Sequence, residues 1–115
     1  MRTETNATST KKGALCTRKR RLLDYFEQQG LPYTVTTIDR EPVVYRKLKN
    51  HDIEISGGSY QRPFYVYVWE LTSDGRPTHT VAAYTVLSGD IPSAAKEIDS
   101  IAEKYEEEHH GNFEL

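Results

Sequence analysis

The stretch Phe64–Leu71 (FYVYVWEL) constrains this chain more than any other. Nearly every position is Val, Tyr, Phe or Trp, whose branched and aromatic side chains suit a pleated, half-buried surface. It is followed by Ser73-Asp74-Gly75-Arg76 and then by Thr78–Leu87 (THTVAAYTVL). Asp-Gly is a preferred hairpin dipeptide because a tight turn needs residues that tolerate positive φ. The two runs are expected to pair antiparallel, with residue numbers that sum to 149 lying opposite each other. One face then carries Phe64, Val66 and Val68 with Val81, Ala83 and Thr85. The other carries Tyr65, Tyr67 and Trp69 with Thr80, Ala82 and Tyr84. The aliphatic set reads as core and the aromatic set as an outer surface. A one-residue bulge would exchange the faces.

Three more extended runs precede this hairpin: Tyr33–Ile38, Val43–Leu48 and Ile53–Ser56. Asp39-Arg40-Glu41-Pro42 and Gly57-Gly58 read as turns. A helix is expected over Thr17–Gln29, with Leu15, Leu22, Leu23 and Phe26 on one face. Gly30 supplies the left-handed stop, Leu31 sits where a Schellman motif places its apolar contact, and Pro32 forbids continuation. A last helix begins at Ile91, with Ala94, Ala95, Ile98, Ile101, Ala102 and Tyr105 at helical spacing. Ser88 or Asp90 serves as its cap, and Pro92 suits a first turn.

The element order is thus α-β-β-β-β-β-α. The fold class expected is α+β, a two-layer domain in which an antiparallel meander carries both helices on one face. The first ten residues, MRTETNATST, read as a flexible polar arm, and residues 11–115 as a single domain. No apolar run approaches the length of a membrane span, and no signal peptide is visible, so a soluble cytoplasmic protein without a membrane partner is expected.

Charge is unevenly placed. Residues 1–21 hold seven basic groups against one acidic, a net +6, whereas residues 22–70 are at −2 and residues 71–115 at −6, within a total of −2. The cluster Arg18-Lys19-Arg20-Arg21 suits phosphate contacts, but equally a solvated or internally paired helix start. The aromatic row of Tyr65, Tyr67 and Trp69 with Tyr84 suits nucleobase stacking, a protein interface or simple sheet stabilisation.

Candidate chemistry is sparse. The lone Cys16 excludes an internal disulfide, and a zinc site would lack ligands. His79 falls opposite Glu70, a carboxylate–imidazole pair with no visible nucleophile. Glu106-x-x-His109 and Glu107-x-x-His110 have a di-iron spacing but no matching set on the first helix. Asp52 and Glu54 share a strand face, at a spacing common in strands. Nucleotide-binding loops, zincin motifs and nucleophile elbows are absent, and no cofactor or metal is expected. In element order the chain parallels the double-stranded-RNA-binding domain. The stretch Ile91-Pro92-Ser93-Ala94-Ala95-Lys96-Glu97 lacks that family's Lys-rich final-helix start, so no family is assigned.

The reading that follows is a non-catalytic macromolecule-docking protein, a small adaptor or inhibitor. In composition it is comparable to the regulators that phages and mobile elements carry. Its interface is expected to use Tyr65, Tyr67, Trp69 and Tyr84, with Glu97 and Glu103 of the acidic last helix complementing a basic protein partner. The alternatives are a nucleic-acid binder acting through Arg18, Lys19, Arg20 and Arg21, a homodimer closed through the aromatic face, and a small enzyme using His79 with Glu70.

Overall fold

The computed structural model describes the backbone of residues 14–114 and the side chains of residues 14–106. The expected polar arm, the Lys11-Lys12 pair and the His109 and His110 pairings lie outside the described residues. Helix α1 spans Thr17–Gln28 and buries Leu22, Leu23 and Phe26 on its inner stripe. Its end is the expected Schellman motif: the Leu31 N–H donates to the Phe26 carbonyl at 3.0 Å and the Gly30 N–H to the Glu27 carbonyl at 3.0 Å. Gly30 has φ +75°, a conformation a Cβ would penalise.

Five strands follow, β1 (Thr34–Ile38), β2 (Glu41–Lys47), β3 (His51–Gly57), β4 (Phe64–Leu71) and β5 (Pro77–Val86), and they pair in sequence order as an antiparallel meander. Helix α2 (Ile91–Glu114) closes the chain. The Asp90 carboxylate caps it by accepting the Ser93 N–H at 3.0 Å, which holds that carboxyl below its ordinary value. The two-layer α+β expectation therefore holds. At the β3–β4 connection glycine is obligatory at Gly57, since a Cβ there would lie 2.5 Å from the Pro63 carbonyl oxygen.

The core lies between the helices and one sheet face. Val44, Ile53, Ile55, Phe64, Val66, Val68 and Val86 meet Leu22, Leu23, Phe26, Ala94, Ala95, Ile98 and Ala102. Phe26 stacks on Tyr33 with ring centroids 3.7 Å apart. A polar tie locks α2 over β2: Asp99 accepts from Arg46 at 2.7 Å and from the Tyr33 hydroxyl at 2.8 Å.

The hairpin register departs from expectation at two places: beside the turn Leu71 pairs with Pro77 rather than Thr78, and a second shift falls between Val68 and Trp69. Trp69 pairs with Thr80 and Glu70 with His79, as the expected sum of 149 requires, but Val68 pairs with Ala82, Val66 with Tyr84 and Phe64 with Val86. Val81 is the extra residue of a bulge between these two stretches. Beyond it the faces of β5 exchange. Tyr84, expected on the outer face, packs with the helices, and its hydroxyl lies 2.8 Å from that of Tyr105. Ala82 also packs against the core, while Val81, Ala83 and Thr85, expected inside, are exposed. The bulge brings Val86, a fully buried residue, into line with Phe64.

Candidate functional site

The sheet face away from the helices is built by β2, β3 and β4 in register. Lys47, Asp52 and Trp69 form one cross-strand row, Tyr45, Glu54 and Tyr67 a second, and Ser56 with Tyr65 continues a third. Ile53 and Ile55 commit their sides of β3 to the core, so strand alternation sends Asp52 and Glu54 to the opposite face.

That face is concave. Thr34, Thr36 and Ile38 of β1 line one cavity together with Tyr45, Lys47, Trp69 and Pro77, the first residue of β5. In a flat sheet β1 and β5 would be about 19 Å apart, so the sheet coils to bring them round a common hollow. The cavity has a volume of about 600 Å³. Coiling also buries side chains that no helix covers. Val43 and Asp52 are fully buried, and Glu54 is 7% exposed.

The two buried carboxylates each anchor a separate hydrogen-bonded set. The Tyr45 hydroxyl donates to Asp52 Oδ2 at 2.7 Å, and Lys47 Nζ donates to the same oxygen at 3.1 Å. The Trp69 indole N–H donates to Glu54 Oε1 at 2.8 Å. Asp52 Oδ1 is buried and has no hydrogen-bond partner. Burial pushes the Glu54 carboxyl above its ordinary value. The Trp69 bond opposes that rise, and Glu41 and Asp39 add to it. Burial, then the Asp52 carboxylate, pushes the Tyr45 hydroxyl upward as well, so it remains a donor. The result is a hollow lined in part by Tyr45, Lys47 and Trp69, whose polar atoms bond the buried carboxylates of Asp52 and Glu54.

The structure distributes the expected interface residues over two surfaces. Tyr65, Tyr67 and Trp69 are half-buried on the concave face. Tyr84 is on the helix side, as described above. Glu97 and Glu103 are exposed on α2, across the sheet from the hollow, and Glu97 accepts the Ser88 hydroxyl at 3.1 Å. The basic cluster is divided. Arg18 donates to the carbonyls of Arg62 and Ser88 and lies 4.5 Å over the Phe64 ring. Lys19 is 4% exposed and donates to Glu41 at 2.9 Å and to the Pro42 carbonyl at 2.8 Å. Arg20 is half-buried and Arg21 exposed. His79 and Glu70 do pair, at 3.2 Å, as an exposed contact near the hairpin end. Cys16 Sγ sits 3.7 Å from the Gly57 carbonyl oxygen.

Sequence reasoning set Asp52 and Glu54 aside and did not single out Tyr45 or Lys47. The usable signal was the alternation in His51–Gly57 (HDIEISG): if its isoleucines are core, its acids share a face with the aromatic row of β4. Among the described residues no cluster of three or more His, Cys, Asp or Glu side chains is arranged to hold a metal ion, and no helix is long and apolar enough to cross a membrane.

No family model, curated protein or solved structure matches the chain.

Proposed function

We propose that this is a macromolecule-docking protein of the adaptor or inhibitor type, which receives a basic segment of a protein partner on its concave sheet face. The observation that carries this reading is the row of Tyr65, Tyr67 and Trp69 beside the buried Asp52 and Glu54, on a face that neither helix covers. Large aromatics are rigid, rich in contact area and frequent at binding hot spots. Carboxylates beneath them favour a cationic partner and disfavour a polyanion. The same acids weigh against nucleobase stacking here, because a bound strand would bring phosphates towards two carboxylates at low dielectric. Arg18 and Lys19 spend their donors inside the fold, which leaves fewer cations in α1 for phosphates.

Panning the immobilised full-length chain against a random-peptide display library tests the reading. The selected peptides should be rich in basic residues and lose binding to the double variant Tyr67→Ser/Trp69→Ser. They should retain it with Glu97→Ala/Glu103→Ala. Peptides that bind the first variant as well as the parent chain would place docking elsewhere.

A further inference from the structure

Asp52 is an incompletely used carboxylate. It is fully buried, and one oxygen, Oδ2, takes both the Tyr45 hydroxyl and the Lys47 ammonium while Oδ1 takes nothing. A buried carboxylate oxygen without a donor forfeits hydrogen bonding that water would have supplied. The Lys47 side chain is 69% exposed, and its ammonium stands 5.8 Å from the Tyr45 ring centroid as well as 3.1 Å from Asp52. The chain thus already seats one cation at this point, tethered to the rim of the hollow rather than built into its floor.

We propose that Lys47 occupies an arginine-reading pocket, and that docking exchanges its ammonium for an arginine guanidinium of the partner protein. The inference rests on the docking reading above and names the side chain that is read. A lysine ammonium is a compact point charge that satisfies Oδ2 alone. Asp52 is fully buried and does not itself line the hollow, so a guanidinium reaches it through the place that Lys47 Nζ vacates; there a planar fork of donors, which spans both oxygens of a carboxylate, supplies the bond Oδ1 lacks. Its flat faces stack on aromatic rings, and Tyr45 and Trp69 stand on the two strands that flank Asp52. The displaced Lys47 loses little, because its exposed ammonium is rehydrated at the rim. The chemistry read is therefore a cationic, planar, bidentate donor, and the partner is a protein that presents it from an exposed arginine.

The chain holds one tryptophan, so the single indole N–H resonance of ¹⁵N-labelled protein reports on the hollow without assignment ambiguity. The probes are N-acetyl-arginine amide, N-acetyl-lysine amide and N-acetyl-citrulline amide, the last an uncharged isostere of arginine. The arginine probe should shift the Trp69 indole signal saturably, and bind about tenfold more tightly than the citrulline probe. The lysine probe should fall between them. Lys47→Met should tighten arginine binding about threefold by removing the tethered competitor. Asp52→Asn should abolish the preference for arginine over citrulline. If Asp52→Asn fails to fold, Lys47→Met alone decides, since that side chain is exposed. Equal binding of arginine and citrulline, or unchanged arginine affinity in Lys47→Met, overturns the proposal. Display peptides that need Tyr67 and Trp69 but lack arginine would reject this inference and leave docking intact. Arginine binding at Trp69 with peptides that ignore Tyr67 and Trp69 would do the reverse.

Discussion

Replacing Glu54 by glutamine isolates the electrostatics of the concave face. Glu54 is 7% exposed and its carboxyl is raised mainly by burial, so the folded state holds its proton more tightly than the unfolded chain does. Each pKa unit of that rise corresponds to about 1.4 kcal/mol between the two protonation states. The sign follows from linkage. A carboxyl raised on folding gives a native state with more bound protons, so its contribution to stability grows as pH falls from above the raised value towards the ordinary 4.5, and is lost as pH rises through that window. Glutamine keeps an acceptor oxygen for the Trp69 N–H but turns a charge-assisted bond into a neutral one, a loss of about 1 kcal/mol. At neutral pH this loss and the relief of a buried charge oppose each other, so the two proteins should differ there by about 1 kcal/mol or less. The decisive quantity is the slope. Urea unfolding followed by Trp69 fluorescence, repeated between neutrality and pH 4.5, should show the parent chain gaining stability relative to Glu54→Gln on acidification. Subtracting one curve from the other removes the carboxylates that do not interact with Glu54, and leaves in the difference its own titration with the coupling to Glu41 and Asp39. A parent chain that loses stability relative to the variant as pH falls would mean that Glu54 is held ionised, and would refute this description of the hollow.

Three other outcomes follow from the same contacts. Tyr84→Phe should cost about 1 kcal/mol, and Tyr84→Phe/Tyr105→Phe clearly less than the two single costs added together, because the two hydroxyls bond each other at 2.8 Å. Chemical denaturation reads both, and a silent Tyr84→Phe would return Tyr84 to the outer face. Lys19→Met should destabilise by about 1–2 kcal/mol, less than a fully buried pair would, because Glu41 is 47% exposed and rehydrates. In mobility-shift assays at low salt, DNA and RNA should not be retarded. Retardation that falls steeply with salt and vanishes in Arg20→Gln/Arg21→Gln would move binding to α1.

Much of the fold is written locally. The bounds Phe64–Leu71 of β4 match the aromatic-aliphatic run residue for residue, and Gly30 with Leu31 closes α1 as its chemistry dictates. The Glu70–His79 pairing keeps the expected register because it lies in the short stretch between the two shifts, one at Glu70/Leu71 and one at Val68/Trp69. What escaped was the bulge at Val81. Ala82 and Ala83 are small enough for either face, so nothing local marks where the register slips. The decision belongs to the core, which takes Val86 and Tyr84. The coil of the sheet escaped for a similar reason. Curvature is a property of five strands together, and without it Asp52 and Glu54 read as solvated acids on an open face. Coiling turns the same alternation into a buried acidic floor under Trp69 and Tyr45.

The central claim is that the concave face, and not the acidic helix, receives the partner. A ¹H–¹⁵N shift map of the full chain titrated with one display-selected basic peptide tests it most directly. The account predicts that the largest shifts fall on the Trp69 indole and on the backbone of Tyr45, Asp52, Glu54 and Tyr67, with Glu97 and Glu103 unmoved. Shifts concentrated on the exposed face of α2, with the Trp69 indole unchanged, would contradict it.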